Sequence, residues 1–460
     1  MAHKPDFRGL PVTVVGLGVE GIDLVRYLAA EGARVTVSDA GPAEQLAGAI
    51  EAIRDSGATL SLGANRPQDT EHAACVFVSQ GVPPELPALR AAQARGVPVS
   101  SMVRLFFERC PAPIAGITGS AGKTTTTALV SAMLESAALD YVVGGNIGVG
   151  LLGLLQRIGP ETKVVVELSH TQLAQLEVSP ALACITNVTP NHLDRYSWPE
   201  YVALKRRIFQ FQRPDDLAIF NLDDEVSAGF VEQAPGRVAC TTSTRALPGD
   251  GVALEHGVAV RHEGGRAHEV LHRDEIRLRG EHNVANVLSA VAVASRLGVD
   301  DAAAARAVRA FTGVAHRLEA VATVRGALFV NDSIATTPER TLAGIRSYAE
   351  PLVLLLGGRH KQLPLDGLAR EAAARCRAVV TFGEAGELYA AAVRAARSGG
   401  VPAVEQAADL AAAVRAAARH AHAGDVVLCS PAGTSFDAYP NFERRGEAFR
   451  AAVRELERGA

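Results

Sequence analysis

Short β-branched runs that end in glycine or a polar turn recur along this chain, and most are followed by a helical stretch. Residues 11–15 run into Gly16-Leu17-Gly18-Val19-Glu20-Gly21, a helix follows through Ala30, and a second run over 33–38 closes on Asp39. A further run at 74–79 leads into Gly81-Val82-Pro83-Pro84 and completes a small αβ domain over 1–101. Residues 102–313 read as a second domain with strands at 162–168, 182–188 and 217–221 and helices between them. That alternation predicts a mostly parallel sheet with crossovers. Residues 238–278 alternate short runs with Gly and charges, which predicts an antiparallel edge ribbon, and a helix follows over 283–297. A third αβ domain is predicted over 314–460, with strands at 328–331, 352–356, 378–382 and 425–430 and Ala-rich helices between. The predicted class is α/β with three domains: Rossmann-like, a central domain with a mostly parallel sheet, and a Rossmann-like C-terminal domain.

Composition narrows this picture only slightly. Across 460 residues the chain is 48% hydrophobic and 21% charged, with a formal net charge of -4. That balance is globular and gives no general attraction to nucleic acid or to an anionic membrane. The 6 cysteines have no paired spacing, so reduced thiols are expected and not disulfides or a zinc site. The polar start and the lack of a membrane-length apolar run lead to the expectation of a soluble, cytoplasmic protein.

The densest chemistry lies in Ile114-Ala115-Gly116-Ile117-Thr118-Gly119-Ser120-Ala121-Gly122-Lys123-Thr124-Thr125. A β-branched run enters a glycine loop, then a lysine and a row of hydroxyls open a helix. Backbone N–H groups, one point charge and the helix dipole together cradle a polyphosphate. The loop is shorter than the usual nucleotide-binding one, since Gly119 and not residue 117 pairs with Gly122. Glu167 ends a strand expected beside the loop, where a carboxylate commonly holds magnesium with a loop hydroxyl such as Thr124; a plain strand-end glutamate is the alternative. Asn187-Val188-Thr189-Pro190-Asn191-His192-Leu193-Asp194 offers His192 as a ligand or as turn chemistry. Lys205 lies on a helix with apolar positions 201, 204 and 208; a cationic helix face is ordinarily solvated, and spacing does not separate it from Arg206 and Arg207. Arg317, at a domain junction, is suited to a γ-phosphate or to a salt bridge. Asp39 is the acidic residue of a dinucleotide fingerprint or a loop cap.

Taken together, these stretches resemble the Mur ligase family, ATP-dependent amide-bond-forming enzymes of peptidoglycan synthesis. The likeness runs from Gly16 to Phe442, and the short Thr-Gly-x-x-Gly-Lys-Thr-Thr loop is shared with folylpolyglutamate synthases. Gly144-Gly145-Asn146-Ile147-Gly148, Glu167-Leu168-Ser169, His282-Asn283 with Asn286, and His316-Arg317 carry it. Asn331-Asp332-Ser333-x-Ala335-Thr336, Ser430-Pro431-Ala432 with Ser435-Phe436-Asp437, and Asn441-Phe442-Glu443-x-Arg445-Gly446 point to the glutamate-adding branch.

The resemblance implies that ATP phosphorylates the alanyl carboxylate of UDP-N-acetylmuramoyl-L-alanine and that glutamate attacks the acyl phosphate. Gly119, Ser120, Ala121, Gly122, Lys123, Thr124, Thr125, Asn286, Arg317 and Asp332 fall at ATP. Thr124 falls at one magnesium ion; Glu167, His192 and a carbamylated Lys205 fall at a second. Lys123, Lys205, His192 and Glu167 thereby become the catalytic set. Gly16, Gly18, Gly21, Asp39, Gly81, Asn146 and His192 fall at the UDP-sugar, and Thr336, Lys361, Ser435 and Phe442 at glutamate. Three departures stand out: Ile334 occupies a position that is usually lysine, with Lys361 or Arg340 as substitutes; Ser169-His170-Thr171-Gln172 replaces Ser-Ser-Phe-Gln; Ala121 replaces Asn. An L-glutamate-adding variant and a folylpolyglutamate synthase-like ligase are the alternatives within the superfamily. A nicotinamide-dependent dehydrogenase built on Gly16–Gly21 is the alternative outside it, and it leaves the phosphate loop unexplained.

Overall fold

A computed structural model describes residues 6–146, 150–191, 195–278 and 280–459. The chain divides into two compact units, Met1–Phe311 and Thr312–Ala460.

The first unit contains two sheets. In the first, β1 (Pro11–Val15), β2 (Arg34–Asp39), β3 (Thr59–Leu62), β4 (Cys75–Val78) and β5 (Val99–Ser101) run in the order β3-β2-β1-β4-β5, and every pair is parallel. The order reverses between β1 and β4. Ligands of open parallel sheets bind beyond the strand ends at such a switch point, and Gly16 and Gly81 both lie there.

The second sheet holds β6 (Ile114–Thr118), β7 (Tyr141–Gly145), β8 (Lys163–Glu167), β9 (Leu182–Ile185), β10 (Leu217–Asn221), β11 (Arg237–Thr242), β12 (Gly251–Glu255), β13 (Val258–Glu263) and β14 (Arg266–His272). Their order is β14-β13-β12-β11-β10-β9-β6-β8-β7. β6, β9 and β10 are buried along their whole length, as a sheet covered on both faces requires, and each buried Val, Ile or Leu there is worth about 1.5–3 kcal/mol. The register Ile117↔Glu167 between β6 and β8 sets the Glu167 carboxylate at the root of the glycine loop. The ribbon expected over 238–278 is antiparallel only from β12 onward: β11 pairs in parallel with both β10 and β12. The helical turn Glu225–Ala228 makes the β10–β11 link a crossover and not a hairpin, which fixes that direction.

The second unit carries β15 (Glu319–Val324), β16 (Ala327–Asn331), β17 (Leu352–Gly357), β18 (Cys376–Phe382), β19 (Ala403–Gln406) and β20 (Val426–Ala432) in the order β15-β16-β20-β17-β18-β19. All pairs are parallel except the β15–β16 hairpin. Asn331 and Ala432 thus end adjacent central strands, which brings the two C-terminal motifs to one edge. Among the described residues no helix is long and apolar enough to cross a membrane.

Candidate active site

The glycine loop is held from beneath by the strand next to it. Ser120 N donates to Asn187 O at 2.9 Å, and Ala121 N donates to Asn187 Oδ1 at 2.9 Å. Asn187 Nδ2 and Thr186 Oγ1 both donate to Ala121 O, at 3.1 and 2.6 Å. Gly119 is required by this contact, since a Cβ there would lie 2.0 Å from Thr186 Oγ1. Lys123 Nζ reaches back over the loop to Gly119 O at 2.7 Å and Ser120 O at 3.3 Å. Gly122 caps the helix Lys123–Ser136 in a left-handed conformation, φ 82°. Asn286 packs against it so closely that a Cβ on Gly122 would lie 2.2 Å from Asn286 Oδ1. The expected ATP contact Asn286 therefore does meet the phosphate loop. Gly122→Ala imposes both that collision and a left-handed alanine costing about 1–2 kcal/mol, so the Kd for ATP should rise about tenfold or more. Titration calorimetry with ATP reads this directly, and an unchanged Kd would remove Asn286 and Gly122 from the site.

Glu167, Asn146 and Lys205 gather at the foot of the loop. Glu167 is 1% exposed. Its Oε1 accepts from Asn146 Nδ2 at 2.8 Å, whereas its Oε2 is buried with no hydrogen-bond partner among the described residues. A buried carboxylate oxygen left unpaired is costly, and a cation is what satisfies it. The residues present therefore fit a magnesium ion. Asn146, expected at the UDP-sugar, holds this carboxylate in place as well.

Ser197 and Glu200 form a capping box that starts the helix Trp198–Gln210. One turn on from buried Tyr201, that helix places Lys205 in the interior at 1% exposure, with Arg206 exposed beside it. The solvated cationic face expected from the sequence is thus corrected for Lys205, which is selected over its arginine neighbours by helical phase. Its Nζ donates to Thr118 Oγ1 at 3.1 Å and Gly119 O at 2.9 Å, 5.5 Å from the Tyr201 ring centroid. Burial first, and then the charge of Lys123, push the Lys205 ammonium well below the usual lysine range; Glu167 opposes them. His192, with Leu193 and Asp194, lies outside the described residues, as do Ile147 and Gly148.

At the switch point of the first sheet, a Cβ on Gly21 would sit 2.1 Å from Gly16 O, so the helix packs directly on the turn. Gly18 and Gly81 face open space. Asp39 does act as a cap: its carboxylate accepts from Leu17 N at 2.6 Å and Gly41 N at 2.7 Å.

In the second unit the loops after β16 and β20 are tied together. Asp332 is 4% exposed and accepts from Ser430 Oγ at 2.7 Å and Leu318 N at 3.2 Å. Burial, only partly offset by these donors and by Arg317, pushes its carboxyl up to about 7. Residues flanking Arg317 adopt left-handed conformations, His316 at φ 63° and Leu318 at φ 44°, and Ala432 does the same at φ 64°. Non-glycine residues hold such angles only where surrounding contacts over-determine them, and these gather at functional loops. Arg445 is fully buried and spends its guanidinium on Ser333 Oγ, Ser333 O and Gly433 O, at 3.0, 2.9 and 3.0 Å. Ser333 Oγ in turn donates to Phe442 O at 2.8 Å. Lys361 Nζ lies 3.4 Å from Thr336 Oγ1, and Arg340 donates to Ile334 O at 3.3 Å, so both substitutes proposed for the missing lysine stand beside this loop. Ser435 is buried at 2% exposure, next to exposed Phe436.

The sequence did not single out Thr186 or the clamp role of Asn187, and it offered Tyr201 only as an apolar helix position and Arg445 only as part of a motif. Tyr201 stands one helical turn before Lys205, and its hydroxyl lies 3.1 Å from Ser120 Oγ.

Three family domains match along the chain. Residues 11–101 match the N-terminal domain described as Mur ligase MurD-like, residues 117–294 the Mur ligase middle domain, and residues 316–433 the Mur ligase, glutamate ligase domain. The UDP-N-acetylmuramoylalanine–D-glutamate ligase of Symbiobacterium thermophilum is 40% identical over 446 residues, covering 96% of this chain and 97% of that one. The protein of the same name from Roseiflexus sp. is 40% identical over 463 residues, covering 97% and 98%. Among solved structures, the UDP-N-acetylmuramate–alanine ligase of Thermotoga maritima superposes with a TM-score of 0.58 at 19% identity, covering 97% of this chain and 99% of that one, a likeness of fold. A glycine loop built as a phosphate cradle, a buried carboxylate with an unpartnered oxygen beside it and full-length relatives at this identity converge on one conclusion: the chain belongs to the Mur ligase family.

Proposed function

We propose that this chain is an ATP-dependent ligase joining D-glutamate to UDP-N-acetylmuramoyl-L-alanine in the cytoplasm, acting as a monomer. The observation that carries the chemistry is the convergence of Lys123, Lys205, Asn146 and the unpaired Glu167 Oε2 on one short glycine loop. The names of the full-length relatives carry the choice of substrates.

The γ-phosphoryl group of ATP passes to the alanyl carboxylate, leaving ADP and an acyl phosphate. The glutamate amine then attacks the acyl carbon, and the tetrahedral intermediate expels phosphate to leave the amide. Loop N–H groups from Gly119 to Thr125 and the Lys123 ammonium hold the phosphates and offset their charge. Thr124 would hold one magnesium ion and Glu167, with His192 and a carbamylated Lys205, a second; bound there, they would supply charge neutralisation at the phosphates. Asn146 keeps the Glu167 carboxylate in its rotamer. Asn286, Arg317 and Asp332 are assigned to ATP. Gly16, Gly18, Gly21, Asp39 and Gly81 are assigned to the UDP-sugar, and Thr336, Lys361, Ser435 and Phe442 to glutamate. On this reading residues 1–101 bind the UDP-sugar, 102–313 ATP and 314–460 glutamate.

The test is phosphate release from ATP and magnesium with UDP-N-acetylmuramoyl-L-alanine, offering D-glutamate, L-glutamate or neither. Release that depends on D-glutamate is expected. Release with L-glutamate alone would change the substrate, and no release with either would overturn the ligase reading.

A further inference from the structure

Glu20 is the second residue of the helix Val19–Ala30, directly after the Gly16–Gly18 turn. Its carboxylate does not serve that turn. Oε2 accepts from Gln80 N at 2.9 Å, and Oε1 accepts from Gln172 Nε2 at 3.0 Å. Gln172 Oε1 accepts from Ser169 N at 3.0 Å, and Gln80 Nε2 donates to Ser169 Oγ at 3.0 Å. The four residues close a ring, with Gln172 at 1% exposure and Ser169 at 8%. One side of the ring is the loop pair at the switch point of the first sheet, next to Gly16 and Gly81. The other side is the end of β8, two residues past Glu167.

We propose that Glu20 is a positioning residue for the ligase reaction, which fixes the sugar-nucleotide loops against the strand end that presents Glu167. The proposal rests on the function given above. The ring spans the only step the two substrates share, because the acyl end of the UDP-sugar has to arrive at the phosphoryl group held near Glu167. Geometry near the reacting atoms is where a small misplacement costs rate.

The donor and acceptor count explains why a carboxylate stands at position 20. Two donors converge on it, a fixed peptide N–H and an amide NH₂, and only a carboxylate accepts from both sides. In Glu20→Gln the single oxygen serves Gln80 N, and the new NH₂ faces the NH₂ of Gln172. Turning the Gln172 amide round relieves that clash but sets its NH₂ against Ser169 N. The conflict moves round the ring without leaving it. Gln172→Glu alone places two carboxylates face to face. The exchange Glu20→Gln with Gln172→Glu returns a donor to every acceptor, because the carboxylate now at position 172 accepts from both position 20 and Ser169 N.

The experiment compares wild type, both single variants and the exchange, varying each substrate in turn, with binding of UDP-N-acetylmuramoyl-L-alanine in the absence of ATP read by calorimetry. Glu20→Gln should raise KM and Kd for the UDP-sugar about tenfold while the KM for ATP stays within about twofold. The exchange should recover most of that loss. A wild-type KM in Glu20→Gln would overturn the proposal, as would an exchange no better than the worse single variant. Equal loss toward every substrate with a lowered Tm would reduce Glu20 to a structural role, also overturning it. If wild type binds the UDP-sugar but releases no phosphate with glutamate, the ligase reading fails, while the calorimetric series still decides whether the ring orders that site.

Discussion

Lys205→Ala is expected to lower turnover by about 10²–10³-fold, the scale seen when one preorganised charge-stabilising group is removed. Lys205 is buried, donates to the root of the phosphate loop and is pushed by burial and by Lys123 well below the usual lysine range. A neutral amine reacts with carbon dioxide: the N–C bond forms, one proton leaves, and the product carries a negative carboxylate-like head. Next to Lys123 that change replaces a repulsive pair by an attractive one. It also places an oxygen donor near the unpaired Glu167 Oε2. A carbamate therefore addresses two costs at once, a buried ammonium repelled by Lys123 and a buried Glu167 oxygen without a partner among the described residues. Short carboxylates such as formate or acetate should partly restore Lys205→Ala by occupying the vacated space. Lys205→Met, which fills that space, should be just as slow and gain nothing from them. Full rate in Lys205→Ala would remove the residue from the mechanism. Loss without rescue, together with no ¹³C signal from labelled bicarbonate in wild type, would remove the carbamate.

Asp332→Asn should abolish the activity and stabilise the ligand-free protein. Burial lifts the carboxyl from 3.8 to about 7, a difference of roughly 4 kcal/mol between its two protonation states. The sign follows from which state binds the proton more tightly. Folded Asp332 does, so its contribution to stability is fully present below about 3.8 and is lost as pH rises through about 7. Asparagine does not titrate. Ser430 Oγ, which is also 3.2 Å from Thr341 Oγ1, can turn to accept from the new amide. The stability advantage of Asp332→Asn over wild type should therefore be small near pH 4, grow up to about pH 7 and then level off, as calorimetry without nucleotide would record. A difference that does not change with pH, or a destabilised variant at pH 8, would contradict a buried, strained carboxylate at this position. Retention of that costly charge is what a residue serving function, and not stability, looks like.

The central strands were legible in the sequence and the sheet edges were not. β6, β8, β9, β10, β17 and β20 are buried nearly throughout and stand out as β-branched runs. The five strands not anticipated, β3, β5, β7, β15 and β19, are all edge strands with mixed burial. An edge strand is covered on fewer sides, so its composition carries less of the apolar signal that marks a strand. The same reasoning explains the site. Lys123 and the loop glycines were visible because local backbone chemistry dictates them. Lys205 was not separable from Arg206 until helical phase showed which of them enters the core, and the Thr186–Asn187 clamp depends on which strand lies beside β6. Arg445 and Asp332 meet the same loops from opposite ends of the second unit, a coincidence that only topology creates. Asp39 shows the opposite case, a fingerprint position whose carboxylate is engaged in holding its own turn.

The most direct measurement labels the alanyl carboxylate of UDP-N-acetylmuramoyl-L-alanine with ¹⁸O and runs the reaction with ATP, magnesium and D-glutamate. Activation of that carboxylate as an acyl phosphate, followed by attack of the amine, transfers one labelled oxygen to each phosphate released. Mass spectrometry should find that singly labelled phosphate in step with amide formation. Unlabelled phosphate, released while the label stays in the sugar-peptide, would contradict the acyl-phosphate ligase.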